Sequence, residues 1–277
     1  MVGKQTLVPI RQTAGAKALA LLEIGVTLEV DIHRSDGSKP PYQSAARIIE
    51  GLRMIDLSQW NLSVPVGSPA TTIDTPALLQ GFRNEYFHAD SGTLFFWAPV
   101  TGSKTASAIY PRSELRETHA DGSVRNWAYP SADNFLRAAL TVNQVPSNGK
   151  IVIGQIHVYG SNEPLLKLEY QYKEKKASGN LVVKIRTAPD QGDPTVLTIV
   201  ENVPLNQRFA YSIHLSPTGN LSITAADYNW QASINPAWKD RLLYFKAGVY
   251  TQDNTGYNTE GGMVTFYKLN IAHDRSG

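Results

Sequence analysis

Two absences narrow the chemistry of this chain before any motif is considered. Its 277 residues include no cysteine, which excludes disulfide bonds, thiolate metal sites and a cysteine nucleophile. No apolar run approaches the roughly 20 residues of a membrane span, so we expect no membrane partner. No block of basic residues occurs and the formal net charge is only +2, so nucleic acid is not an expected partner. A polyanionic ligand would therefore need positive charge concentrated at one site.

The residues that are abundant indicate a folded β protein. Hydrophobic residues make up 42% and charged residues 18% of the chain, values typical of a globular rather than a disordered protein. The 21 glycines and 16 prolines recur along the chain, as expected for many short strands joined by turns. The length suits one large β domain, or one domain with an appendage.

The N-terminal segment, residues 1–53, differs from the rest of the chain. Ala14–Val30 is apolar, but Lys17 and Glu23 interrupt it, so it lacks the continuous apolar core of a signal peptide. We interpret residues 1–53 as an extension with no part in the chemistry; a propeptide or a misplaced start are the alternatives. Residues 54–277 are expected to form the functional domain.

From residue 56 onward, apolar and polar residues alternate with the period of a β-strand. We predict an all-β fold of two antiparallel sheets, either a sandwich or a jelly roll. Thr75–Tyr86 is the best helix candidate. The predicted strands are Leu94–Pro99, Phe135–Val142, Leu166–Lys173, Leu181–Arg186, Phe209–Leu215, Leu221–Ala225, Tyr244–Thr251 and Met263–Ile271.

Three segments place chemically active side chains together on one strand face. In the first, Arg112, Glu114 and Arg116 share a face, because side chains alternate along a strand. Two guanidiniums around a carboxylate orient one another and still offer donors outward. A surface ion-pair ladder is the alternative interpretation of this segment.

The second segment places Gln155 and His157 on one face, with Ile156 and Val158 on the other. A single histidine is more often structural than catalytic. The glutamine beside it on the same face favours a functional site, though only modestly.

The third segment places Tyr244, Lys246, Tyr250 and Gln252 on one face. Gly248 leaves a gap in this polar row, where we expect a ligand to approach the backbone closely. An exposed edge strand with packing tyrosines is the alternative, but it leaves a lysine between two tyrosines unexplained.

Lys184 and Arg186 extend the same pattern on a further predicted strand. Together these segments predict a positively charged concave surface with hydrogen-bonding aromatic side chains. Such a surface suits an extended acidic sugar chain better than an apolar ligand.

The segments also resemble the three motifs of polysaccharide lyase family 7, the alginate lyases. Those motifs are R-[ST]-E-L-R, Q-[IV]-H and Y-F-K-A-G-x-Y-x-Q, and they stand here in the same order at Arg112–Arg116, Gln155–His157 and Tyr244–Gln252. The resemblance covers about residues 54–272. It implies a jelly-roll β-sandwich whose concave sheet carries the substrate groove.

The resemblance further implies roles for individual residues. Arg112, Gln155, His157 and Tyr250 correspond to the catalytic set, and Ile156 to the motif form associated with guluronate-containing blocks. The supporting or substrate-binding residues are then Glu114, Arg116, Lys246 and Gln252, with Tyr244, Lys184 and Arg186 on the same surface. The implied partner is alginate or a similar acidic polysaccharide, and no metal or cofactor is implied. We expect an endolytic and monomeric enzyme. We also expect it to be extracellular or periplasmic, because a polymer is usually met outside the cytoplasm.

Elimination from a uronate requires removal of the C5 proton beside a carboxylate that already carries charge. Arg112 and Gln155 can donate hydrogen bonds to that carboxylate, and such donors are worth about 3–4 kcal/mol each. His157 suits the base, because an imidazole has an unperturbed pKa of about 6.5. Tyr250 suits the proton donor to O4, and we expect Lys246 and Arg112 to lower its pKa.

This scheme divides the work between two residues. His157 would remove the C5 proton of guluronate, which lies on the side opposite the leaving group. Tyr250 would act as both base and acid for mannuronate, whose C5 proton lies on the leaving-group side.

Two other functions compete with a lyase. A glycoside hydrolase needs two carboxyl groups facing one cleft, but Glu114 and Glu117 are three residues apart and should face opposite ways on a strand. A non-catalytic carbohydrate-binding module would explain the tyrosines and the basic groove. It would not need Gln155, His157, Lys246 and Tyr250 to face one site.

Overall fold

The structure is a computed structural model, and it describes residues 15–21, 27–33, 54–190 and 192–275. The chain divides into two compact units, Met1–Arg53 and Met54–Gly277. In the first unit, β1 (Gly15–Leu21) and β2 (Thr27–His33) form an antiparallel pair. No helix among the described residues is long and apolar enough to cross a membrane.

The second unit consists mostly of short antiparallel strands, with one single-turn α-helix, α1 (Thr75–Leu79), among its described residues. Its strands in chain order are β3 Trp60–Gly67, β4 Ala70–Ile73, β5 Phe87–Asp90, β6 Thr93–Pro99, β7 Arg112–Glu117, β8 Asp133–Gln144, β9 Lys150–Val158, β10 Leu166–Lys173, β11 Ser178–Ile185, β12 Thr195–Val203, β13 Phe209–Leu215, β14 Asn220–Ala225, β15 Tyr228–Ser233, β16 Leu243–Thr251 and β17 Gly261–Asp274. Short 3₁₀ turns lie at Tyr129–Ser131, Glu174–Lys176 and Pro236–Asp240.

These strands form two sheets. The site sheet has the order β12-β11-β10-β9-β16-β7-β3-β4, and the back sheet has the order β15-β14-β13-β8-β17-β6-β5. All of the pairings in both sheets are antiparallel. The prediction of an all-β jelly-roll sandwich with two antiparallel sheets is therefore confirmed.

The hydrophobic core lies between the inner faces of the two sheets. On β16, Phe245, Ala247 and Val249 are fully buried at 0% exposure, as the alternation of that segment predicts. Burying a side chain such as Phe245 contributes about 1.5–3 kcal/mol relative to leaving it exposed. The other face of the same strand is thereby fixed toward the groove, because a shift by one residue would turn every core side chain outward.

Gly248 lies at an irregularity in the pairing of β16 with β9, and its φ of +137° is one that side chains rarely adopt. A Cβ there would lie 2.7 Å from the Ser113 carbonyl oxygen and 2.9 Å from Glu114 Cα. The expected close approach of a ligand to this backbone stays a prediction. The strand β7 itself takes up the space that the missing side chain leaves.

The helix predicted over Thr75–Tyr86 begins where expected but ends after one turn, at Leu79. Asp74 caps its start by accepting a hydrogen bond from the Ala77 N–H at 2.9 Å. Gly81 follows at a φ of +84°, a left-handed conformation typical of residues just after a helix.

Candidate active site

The three motif segments lie side by side at the centre of the site sheet, because β16 pairs with β9 on one side and with β7 on the other. Residues opposite each other in an antiparallel pair share a face. The polar residues therefore form a continuous row across five strands. In order from β11 to β7, the members of this row are Lys184, Lys167, Gln155, Lys246 and Arg116.

The Glu114 carboxylate is the centre at which three of the predicted site residues meet. Lys246 Nζ lies 2.6 Å from Glu114 Oε2, and Arg112 Nη1 donates to the same oxygen at 3.0 Å. Gln155 Nε2 donates to Glu114 Oε1 at 2.5 Å. Glu114 is only 1% exposed, and burial alone would raise its pKa. The neighbouring Lys246 and Arg112 charges outweigh burial and hold the pKa below its usual value, so the carboxylate is ionised.

His157 lies against Tyr244, its partner across the strand pair. The two rings stack with centroids 5.2 Å apart, and the Tyr244 hydroxyl lies 3.1 Å from His157 Nδ1. Nδ1 is also 3.1 Å from the Val158 carbonyl oxygen. The Val158 backbone N–H also lies 2.9 Å from Nδ1 and donates to it when Nδ1 is unprotonated. In the tautomer with the proton on Nδ1, the two oxygens accept that proton and Nε2 is left to accept one from a substrate.

Burial and, to a smaller extent, the nearby Lys246 charge together lower the pKa of His157 from 6.5 to about 3. The imidazole is therefore neutral at neutral pH. A neutral imidazole is the form that can accept a proton, so the environment keeps His157 in the state that a base requires.

The Tyr250 ring lies under the Arg112 guanidinium, whose Cζ is 3.8 Å from the ring centroid. Lys167 Nζ is 5.5 Å from the same centroid. We expected the cations to lower the pKa of Tyr250, and this was wrong. Burial raises the pKa and outweighs the opposing effect of Arg112, so the phenol keeps its proton at neutral pH. That state fits a proton donor.

Arg116 and Gln252 lie at the margins of the central cluster. The Arg116 guanidinium stacks over the Tyr244 ring with Cζ 4.1 Å from its centroid. It also donates to the Arg125 carbonyl at 2.9 Å and to Asn126 Oδ1 at 2.5 Å. Gln252, one residue beyond β16, donates from Nε2 to the Tyr250 carbonyl at 3.3 Å.

Lys184 and Arg186, the two cationic residues predicted on a further strand, have different surroundings. Lys184 lies in the polar row, but its Nζ is 2.8 Å from Glu169 Oε1, so its charge is balanced there. Arg186 lies just beyond the strand, pairs with Glu163 at 3.1 Å and donates to the Gly192 carbonyl. Its head group is engaged by the flanking loops.

Lys167 is the groove residue that sequence reasoning did not single out. It stands in the row between Lys184 and Gln155, and burial lowers its pKa. The alternation of Leu166–Lys173 had already placed it on the polar face, so a pattern could have found it. Arg112 and Lys246 contact the ionised Glu114 carboxylate, Lys167 lies near it, and Arg116 is opposite Lys246 in the polar row, so cations outnumber anions at the centre of the row. Within the described residues, no group of three or more His, Asp or Glu could hold a metal ion.

Comparisons with known proteins agree on one family. The family model described as alginate lyase matches residues 55–273. A curated alginate lyase of Klebsiella pneumoniae is 29% identical in an alignment that covers 79% of this chain and 89% of that protein. The crystal structure of an alginate lyase from Pseudomonas aeruginosa shares 43% identity and a TM-score of 0.76, covering 79% of this chain and all of that one. Alginate lyase A1-II′, a member of polysaccharide lyase family 7, shares 31% identity and a TM-score of 0.71, covering 80% of this chain and 97% of that one.

Proposed function

The chain belongs to the alginate lyase family and is a polysaccharide lyase, and from that premise we propose that it eliminates guluronate-containing blocks of alginate within the groove of the site sheet. The observation that carries this proposal is the buried Glu114 carboxylate on which Arg112, Gln155 and Lys246 converge. That arrangement fixes donors and positive charge at one point of the groove. A uronate carboxylate is the substrate group that such a point binds and activates.

Donor groups remain at this point after Glu114 is bound. Arg112 uses Nη1 and Gln155 uses one amide N–H for the glutamate, and each side chain has further N–H groups. We assign those groups to the uronate carboxylate. They stabilise the charge that develops on it when C5 loses its proton, with no reorganisation at the moment of reaction.

The proton of C5 passes to the neutral His157. The electron pair of the broken C5–H bond forms the C4–C5 double bond, and the C4–O4 bond breaks. The Tyr250 phenol, held against Arg112, gives its proton to the leaving O4. The products are a chain with a free hydroxyl and a chain that ends in an unsaturated uronate.

The preference for guluronate-containing blocks and for internal cleavage rests on two kinds of support. Variants of alginate lyase A1-II′ have been solved with a product, GGG, and a substrate, GGMG. In this chain the polar row extends over five strands, which is about 19 Å at the usual strand spacing. A row of that length suits an internal stretch of a polymer.

The test is digestion of polyguluronate, polymannuronate and alternating alginate, followed by the absorbance of the unsaturated product. We expect the fastest turnover on guluronate-containing substrates and a mixture of oligomer sizes from the earliest time points. His157→Ala should lose activity on polyguluronate. Release of one small product from chain ends, or equal loss on every block type, would contradict the proposed mode.

We also propose that the enzyme acts outside the cytoplasm, because the polymer is met there, and that it acts as a monomer. The site supports the second point, since β7, β9 and β16 of a single chain supply its central residues. Cell fractionation checks the location, and sedimentation at assay concentration checks the oligomeric state.

A further inference from the structure

A buried acid on the reverse side of β7 contacts the strand that carries the site. Glu117 is 0% exposed, and its Oε2 accepts hydrogen bonds from the Trp127 indole N–H at 2.8 Å and from the Phe245 backbone N–H at 3.0 Å. His273 Nε2 lies 2.6 Å from its Oε1. These contacts lie on the core face of β7, opposite the face that presents Glu114 to the groove.

The geometry makes Glu117 and His273 a hydrogen-bonded pair. Asn134 points its amide N–H groups at the carbonyl oxygens of Tyr129, Ala132 and Leu215, at 3.3, 2.7 and 3.2 Å. Its Oδ1 therefore faces His273 Nδ1, at 2.7 Å. The His273 ring is thus held between an oxygen of Asn134 and an oxygen of Glu117. Arg125 Nε, 3.4 Å from Glu117 Oε1, adds a partly exposed cation to the same carboxylate.

This pair lies at a fork in the site sheet. The ladder between β16 and β7 ends where Lys246 meets Arg116. Beyond that point Trp127 takes over the pairing, with its backbone bonded to Leu243 in both directions at 2.8 and 2.7 Å. Phe245 lies between the two ladders, and its N–H is bound by a side chain, the Glu117 carboxylate, instead of a backbone carbonyl.

The residues on either side of Phe245 both belong to the site. Tyr244 contacts His157 through its ring and its hydroxyl, and Lys246 contacts Glu114. We propose that Glu117, hydrogen-bonded to His273, is a positioning residue that fixes the backbone of β16 at Phe245 and so holds Tyr244 in contact with His157. The inference rests on the proposed role of His157 as the base. According to this inference, the alignment of that base depends on Glu117 and His273, which lie in the core behind the site sheet.

The test compares Glu117→Met with Glu117→Gln. Methionine fills a similar volume but offers no oxygen to the Phe245 N–H, so we expect kcat on polyguluronate to fall between about 10- and 100-fold, as small misplacements do, while KM stays within about twofold. Glutamine keeps an acceptor for that N–H and should restore kcat to within about threefold of the wild type. His214→Gln is the matched control, because it removes another histidine–carboxylate pair, the 2.7 Å contact with Asp133, on the outer face of the back sheet.

A double-mutant cycle with Tyr244→Phe separates positioning from a general loss of structure. If Glu117 acts through Tyr244, Glu117→Met costs much less in the Tyr244→Phe background than in the wild type. Additive effects, or equal losses for the methionine and glutamine variants, would overturn the inference. If Glu117→Met does not fold, His273→Gln replaces it: a threefold or larger fall in kcat at unchanged KM supports the inference, and wild-type kcat overturns it.

The failure of this inference is distinct from the failure of the proposed function. A wild-type enzyme that yields no unsaturated product from polyguluronate refutes the function itself. An active wild type with Glu117→Met folded and equally active refutes only the positioning role.

Discussion

Two buried glutamates on β7, three residues apart, have opposite surroundings. Glu114 faces the groove and contacts Arg112 and Lys246, so cations exceed anions around it. Glu117 faces the core and contacts the His273 ring and the Trp127 and Phe245 N–H groups, with Arg125 3.4 Å away. Both glutamates are almost fully buried, so burial does not distinguish them. The face on which their cations lie does, because only the cations around Glu114 lie on the face of the polar row, where they can attract an anionic sugar.

The largest effect on activity should come from a substitution in the groove that leaves the fold intact. Tyr250→Phe removes the proton donor but keeps the ring under Arg112. We expect kcat to fall by about 10²–10⁴-fold, the usual contribution of general acid–base catalysis, with little change in Tm. Tyr257→Phe is the control, because Tyr257 is 76% exposed. Full activity in the Tyr250→Phe variant would refute the role of the phenol.

The second effect concerns stability and compares the two glutamates directly. Glu114→Gln leaves the buried Lys246 and Arg112 charges without their counter-charge, which should cost about 3–5 kcal/mol of unfolding free energy. Glu117→Gln should cost less, because glutamine keeps an acceptor oxygen for the Trp127 and Phe245 N–H groups and Arg125, the cation beside it, is partly exposed. Chemical denaturation of both variants checks this order, and the reverse order would break the comparison.

The Glu114→Gln variant and the wild type should also differ in how their stability changes at low pH. The pKa of Glu114 lies below its ordinary value of 4.5 in the folded protein, where burial is outweighed by Lys246 and Arg112. A lowered carboxyl pKa contributes stability above the unfolded value and loses it as pH falls through the folded value. Wild-type Tm should therefore decline below about pH 4.5. The Glu114→Gln variant should lack this part of the decline.

The amino-acid sequence was enough to predict the strand faces, because alternation decides which residues enter the core. Arg112 and Glu114 on one side, with Leu115 on the other, follow from that rule alone. The direction of the Tyr250 pKa did not follow, since it depends on how deeply neighbouring strands bury the phenol.

Contacts between residues far apart in the chain also could not be predicted from the sequence. Alternation predicted that Glu117 faces away from the groove, but it did not predict which residues Glu117 contacts. The bonds to His273, 156 residues away, depend on the packing of one sheet on the other. The contact of β7 with Gly248 could not be predicted for a similar reason, because the approach of β7 to that position is a tertiary feature.

The fourth prediction concerns the alkaline side of the activity profile. Burial and, to a smaller extent, the Arg112 charge together lower the pKa of Lys246 from 10.5 to about 8. As pH rises through this value, Lys246 loses the charge that helps to attract the substrate. We expect kcat/KM to fall by about tenfold per pH unit above that point, and Lys246→Arg to shift the fall to higher pH. Lys268→Arg, an exposed change on the back sheet, should leave the profile unchanged.

The smallest effect should be the change of KM with salt concentration, and it again tests whether the groove face of β7 attracts the substrate. The Debye length shrinks from about 10 Å at 0.1 M to about 3 Å at 1 M, so the attraction of the groove for a polyanion weakens. KM should rise several-fold while kcat changes little, because the reacting groups are in contact with the bound sugar. Lys167→Gln should reduce the slope of KM against ionic strength, since Lys167 lies in the polar row, and Lys268→Gln should not. A flat KM would mean that the positive charge around Glu114 serves only to hold the site together.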